Sequence, residues 1–229
     1  MDKITYRIID PDGQEFLFPV DLRLERVLSD EGGSEEPPQW ARLDNHQCSN
    51  CPLDPQQHPN CPAAVSIYHI ASRFDNDLSI TRVDVWVETA TRTYSKNVDL
   101  QTCLRSLFGL MMATSGCPVL SRMRMLALFH LPFSNLDETI LRIVGTYLIK
   151  QYLTRKHGDG EPDWELKGIG DYYRELGVVN IHLMKRLRQA SQEDANVNAI
   201  QQFVSIAMLG EMDAEGIMDH YYAELKRFC

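Results

Sequence analysis

Apolar and polar residues alternate with period two at the start of the chain, where Ile4, Tyr6 and Ile8 interleave with Lys3, Thr5 and Arg7. Beyond the turn residues Asp10-Pro11-Asp12-Gly13, the series Phe16, Phe18, Val20, Leu22 and Leu24 interleaves with Leu17, Pro19, Asp21, Arg23 and Glu25. Successive side chains of a strand point to opposite faces, so the pattern predicts a β-hairpin with one buried face. Pro19 lacks the N–H that a ladder needs, which points to an edge strand or a bulge. A second hairpin is expected where Val83, Val85 and Val87 alternate with Arg82, Asp84 and Trp86. Its turn falls near ETATR and its return strand is TYSKNV. Between the hairpins, DEGGSEEPPQW (30–40) has the composition of a loop, and AAVSIYHIASRF (63–74) that of a short helix.

From Asp99 the period lengthens to that of a helix. Leu100, Cys103, Leu104, Leu107, Phe108 and Met111 share one face, with Asp99 as N-cap and Gly116 as the C′ stop. A second helix is expected from Pro118. A third follows FSNLDE, where Asn135 and Glu138 have capping-box spacing, and runs to His157-Gly158. Asp163 opens a fourth that reaches about Ala190, and Ser191–Asp194 starts a fifth with Val197, Ile200, Val204 and Ala207 on one face. A last amphipathic helix from Asp213 carries Ile217, Tyr221, Leu225 and Phe228. The expected fold class is α+β: a small antiparallel sheet of two hairpins over 1–98, packed with a bundle of about five to six helices over 99–229. A Cys-rich loop at about 41–64 is inserted in the first part, and the whole is expected to be one compact unit.

Hydrophobic residues make up 44% of the 229 residues and charged ones 24%, ordinary values for a folded chain. The net charge of −9 repels polyphosphates and acidic membrane surfaces, so neither a nucleic acid nor a membrane is an expected partner. The start MDKITYRIIDPDG is not a signal peptide, and no apolar stretch reaches the length of a membrane span. A cytoplasmic location follows, where six cysteines are thiols or ligands before they are disulfides.

NHQCSNCPLDPQQHPNCPAA (45–64) gathers three cysteines and two histidines in a proline-rich stretch. Cys48 and Cys51 have the two-residue spacing that lets both sulfurs reach one metal ion from a tight turn, and Cys61 supplies a third sulfur. The fourth ligand is Cys117, His58 or His46. The span is like that of a zinc knuckle, but the histidine is displaced and the glycines and aromatics that stack on bases are missing. Cys51, Cys61 and Cys117 each precede a proline, as a cluster-ligating cysteine of bacterial ferredoxins does. Cys117 also stands directly before Pro118, where an N-cap favours a thiolate. Structural zinc is therefore the leading cofactor. A 4Fe–4S cluster serving a redox protein, or an open metal position serving an enzyme, is the alternative. A metal-free interaction module is a third reading, with the Met-rich run RMRMLAL as its surface and a homo-oligomer as its product.

Other positions read more simply as structural. His130 in ALFHLPF is a buried, hydrogen-bonded histidine; as base for Cys117 it would stand ~20 Å away along a continuous helix at roughly 1.5 Å per residue. Asn196 and Asn198 satisfy backbone groups in a first turn, Glu138 and Arg142 form an exposed ion pair, and His157, His182 and His220 are lone histidines of helices.

The stretches LFGLMMATSGCPVL, FHLPF, DETILR, DWEL and DANVNA resemble a family of uncharacterised bacterial proteins that carries only a domain-of-unknown-function label. The resemblance runs from the cysteine loop nearly to the C-terminus. It implies a bacterial cytosolic protein and assigns no activity and no functional residue.

Overall fold

The computed structural model describes residues 3–23, 36–158, 160–212, 221–222 and 226–227. Among these, four strands form one antiparallel sheet and six α-helices pack with it, so the chain is α+β. Strand β1 (Lys3–Ile9) pairs with β2 (Glu15–Asp21) around the Asp10–Gly13 turn, and β3 (Arg82–Glu88) pairs with β4 (Thr93–Asp99). The two hairpins join along β1 and β3, with Tyr6 opposite Val87 and Ile8 opposite Val85, giving the order β2-β1-β3-β4. β2 is an edge strand, as Pro19 requires; that residue lies opposite Thr5. Ile4, Tyr6, Ile8, Val83, Val85 and Val87 are buried on one face, while Lys3, Arg82, Asp84 and Glu88 are exposed.

Helix α1 (Pro62–Arg73) covers part of that face and begins directly after Cys61, with Pro62 in the first helical position. Its last residues meet the sheet edge, where the Phe74 ring packs edge-on against Phe16 at a centroid distance of 5.2 Å. Helix α2 (Leu100–Ala113) leaves the sheet at Asp99, whose carboxylate accepts from the Thr102 N–H at 2.9 Å. It ends one residue earlier than expected: Thr114 is the C-cap, and Gly116, with φ +81°, lies two residues beyond it. The segment after Pro118 is not one helix. A 3-10 turn (Leu120–Met123) leads into the short α3 (Arg124–Leu128), and Pro132 disfavours helical backbone before it.

Helix α4 (Leu136–His157) carries the expected capping box. The Glu138 N–H donates to Asn135 Oδ1 at 2.8 Å, the Asn135 N–H donates to Glu138 Oε2 at 2.9 Å, and Gly158 ends the helix at φ +74°. Helix α5 (Ile169–Ala190) starts later than Asp163 because that carboxylate builds a separate turn, accepting from the N–H groups of Lys167 and Gly168 and from the Tyr147 hydroxyl. Helix α6 (Ala195–Met212) follows a short connection in which Asp194 accepts from the Ser79 N–H and hydroxyl, tying the α5–α6 corner to the β3 approach. The helix expected from Asp213 lies outside the described residues, apart from helical Tyr221 and Tyr222. One hydrophobic core takes in residues of the sheet, α1, α2, α5 and α6, including Cys61, Cys103 and Cys117. No helix among the described residues is long and apolar enough to cross a membrane.

Candidate functional site

The cysteine loop joins the core through Ala41, Leu43 and Cys61, with Cys48, Cys51 and Leu53 packed against it, and polar bonds add to that attachment. Three side chains and one backbone carbonyl of α5 hold the loop. The Asn50 amide donates to the Glu175 carbonyl at 3.0 Å, and His182 Nδ1 lies 3.1 Å from the His46 carbonyl oxygen. Arg186, only 1% exposed, donates to the carbonyl oxygens of Trp40, Arg42 and Leu43. Gln189 accepts from the Asn45 amide at 3.1 Å and lies beside His46. Residues 175, 182, 186 and 189 share a face because their spacings of seven, four and three follow the helical repeat. The Glu175 carboxylate also pairs with Arg122, which belongs to the 3-10 turn just after Cys117. One residue of α5 thus holds both the Cys48–Cys51 turn and the segment that follows Cys117.

Cys48 and Cys51 form a tight turn closed by the Cys51 N–H on the Cys48 carbonyl at 3.0 Å. Cys61 is pinned from the other side by its N–H on the Ala41 carbonyl at 2.8 Å, and its sulfur makes no capping bond to α1. Burial pushes the Cys48 thiol up to about 12, and the nearby Cys61, Cys117 and Cys51 add to the rise while Arg186 opposes it. The Cys117 thiol is raised first by burial and also by Cys61 and Cys51. It is steadied in the other direction by the N–H groups of Leu120 and Val119, which donate to its sulfur in the manner of an N-cap. Cys48 of the loop and Cys117 of the turn after α2 are thus each near Cys51 and Cys61. None of these four, nor Cys103, is disulfide-bonded. Cys103 is fully buried in α2, and its neighbours are apolar residues and Asp99.

The two loop histidines lie elsewhere. His46 is exposed, sits in left-handed backbone at φ +49° and faces Gln189; His58 is exposed, its N–H on the Asp54 carbonyl. Among the described residues, no group of three or more His, Cys, Asp or Glu side chains is gathered as the ligands of a single metal ion are. Nor does Cys117 meet His130, whose Nε2 is 2.5 Å from the Tyr6 hydroxyl. Glu138 and Arg142 form no ion pair: Glu138 caps its own helix, and Arg142 donates to the carbonyls of Leu126 and Phe129. Asn196 is fully buried and donates to the Ala71 and Phe74 carbonyls at the end of α1, whereas Asn198 bonds Asp194 in its own first turn. The loop anchors Asn50 and Arg186 carry no local signal. Only the spacing of Glu175, His182, Arg186 and Gln189, polar residues at helical intervals, marks a face of α5 that does not simply meet water.

A second polar cluster lies where β1 passes beneath α2. The Phe133 N–H donates to Ser106 Oγ at 3.2 Å, Ser106 Oγ is 2.7 Å from Tyr6 Oη, and Tyr6 Oη meets His130 Nε2. Burial, with Arg142 nearby, lowers His130 to about 3, so its ring is neutral and Nε2 can accept the Tyr6 proton. Phe133 occupies left-handed backbone at φ +59°, held by these bonds and by the Arg105 guanidinium on the Ser134 carbonyl at 2.9 Å.

No curated protein and no solved structure matches the chain. A family model matches residues 4–226, nearly the whole length, and the resemblance seen in the sequence is to the same kind of family. The chain belongs to the family described as Domain of unknown function (DUF6901).

Proposed function

We propose that this chain is a metal-centre protein in which Cys48, Cys51, Cys61 and Cys117 are the ligands and the centre clamps the proline-rich loop to the helical bundle. What supports it is that Cys48 and Cys117, from two separate segments, each lie near enough to Cys51 and Cys61 for those residues to raise their thiols. Neighbouring thiols, two of them buried (Cys61, Cys117) and two partly so (Cys48, Cys51), gain nothing from ionising alone, since each thiolate would repel the next. A cation reverses that balance, and metal binding would exchange their protons for it. Cys117 brings N–H donors to its sulfur, and Arg186 brings a positive charge beside Cys48, both of which favour a thiolate centre.

The three Cys-Pro pairs favour a 4Fe–4S cluster, which offers each thiolate its own iron, over a single zinc ion. Zinc is the second reading, supported by the Cys-x2-Cys turn. With all four ligands from the protein the centre is closed to substrate, and its role is structural.

Anaerobic purification of the full chain, with iron, sulfide and zinc analysis and a visible spectrum, tests this. About four irons and four sulfides per chain with broad visible absorption is the expected result; about one zinc in a colourless protein supports the second reading. Replacing Cys48, Cys51, Cys61 or Cys117 by Ala should remove the metal, and Cys103→Ala, His46→Ala and His58→Ala should keep it. Less than a tenth of an equivalent of any metal, before and after anaerobic reconstitution, would falsify the proposal.

A further inference from the structure

Two cavities meet at His130, Leu131 and Arg142. The inner one, about 110 Å³, lies between α2, α3, α4, α5 and α6, and its wall is mostly aliphatic and aromatic, with Leu110, Leu176 and Phe203 among its residues. The outer one, about 250 Å³, opens toward the β3–β4 turn and is lined by Lys3, Arg92 and Arg142. Neither lining contains an aspartate or a glutamate, although the chain carries 32 acidic residues against 23 basic ones. Arg105, also at the inner cavity, and Arg142 donate to backbone carbonyls and form no ion pair among the described residues. Asn180 lines the inner cavity as well. It is 6% exposed, and its Oδ1 has no hydrogen-bond partner. A buried acceptor left alone is costly, and a cavity wall is where a ligand can satisfy it.

We infer that these cavities form one binding site for a small carboxylic acid with an apolar body. The body occupies the inner cavity, the carboxylate lies at the junction near Arg142 and Arg105, and a hydroxyl on the body donates to Asn180. Size fits: an apolar cavity of about 150 Å³ takes benzene, and the 110 Å³ of one cavity together with the 250 Å³ of the one adjoining it leaves room for a single ring and its carboxylate. Charge fits because both guanidiniums keep unused donors in a wall that holds no carboxylate, Glu138 acting on Arg142 and Asp99 on Arg105 only from beyond the lining, and a charge-assisted pair there is strong. The neutral His130 ring and the Ser106–Tyr6 chain give the junction a fixed wall.

The test uses the full chain as purified, with 4-hydroxybenzoate, benzoate and the neutral isostere benzyl alcohol as probes in isothermal titration calorimetry. Both acids are expected to bind saturably with one site, at least tenfold tighter than benzyl alcohol, with 4-hydroxybenzoate the tighter of the two. Arg142→Gln should abolish the preference for acid over alcohol, and Arg105→Gln, which disturbs less of the backbone, should weaken it at least threefold. Asn180→Leu should erase the preference for the hydroxylated acid while benzoate still binds. Where circular dichroism shows that a variant does not fold, the wild-type ranking decides by itself. No saturable binding of either acid, or acid and alcohol bound equally by the wild type, overturns the inference.

Discussion

At the scale of single residues, two buried groups carry more than their surroundings suggest. Arg186 fills a fully buried position with a charge whose hydrogen bonds all go to backbone carbonyls of the loop. Arg186→Met keeps much of the volume but takes the guanidinium donors from those carbonyls, of which, among the described residues, Arg42's alone keeps another bond, from the Asn45 N–H. We expect a loss of about 3–5 kcal/mol in urea unfolding, at the upper end for a single substitution. His130 is kept neutral by burial, its ordinary value of 6.5 lowered to about 3. The unfolded chain takes up the proton near 6.5 and the native chain does not. The stability that neutral His130 supports is therefore complete above that pH and is lost as the pH falls toward about 3, by at most ~1.4 kcal/mol per pH unit. His130→Gln should flatten this acid limb, which melting temperatures from pH 7 to pH 4 would reveal. An unchanged slope in the variant would mean that other groups dominate acid unfolding.

At the scale of elements, local chemistry explains most starts and stops. Asp99 and Asn135 cap α2 and α4 through their own side chains, and Asp99→Ala should cost about 1 kcal/mol. Asp163 was expected to open α5, yet it organises the turn before it, and the reason lies in a distant residue. Its carboxylate accepts from the Tyr147 hydroxyl of α4 at 2.8 Å, and Gly168 provides the room: a Cβ there would come within 2.6 Å of Tyr147 Oη. Gly168→Ala should displace the tyrosine and loosen the α4–α5 connection, at about 1–3 kcal/mol. Amide exchange should then quicken first in the 163–168 turn; exchange unchanged there would refute the account. The corresponding misreading at Arg142 has the same origin. Helical spacing offers Glu138 as a partner, but the carbonyls of Leu126 and Phe129 lie within reach only because α3 folds back onto α4.

At the scale of the whole molecule, the loop of 41–64 is attached by the buried Ala41 and Leu43, by polar bonds to α5 and, on our reading, by a thiolate centre to the start of α1 and the turn after α2. Removing that centre should leave the sheet and the bundle folded, since their shared core is apolar and continuous. It should expose the loop. Chelator treatment is expected to speed limited proteolysis within residues 47–60 with little change in helical circular dichroism; global unfolding in its place would mean that the core depends on the metal. The hairpins, their turns, the edge position of β2, the caps of α2 and α4 and the α+β class were legible in the chain, because each depends on residues a few positions apart and on side-chain period. Cys117 was legible only as one choice among three for a fourth ligand. Only the tertiary structure turned the two histidines outward, sent Arg186 to the loop carbonyls and placed His130 against Tyr6. Those partners are separated by more than a hundred residues, and no local pattern encodes which surfaces the packing of helices on the sheet will bring together.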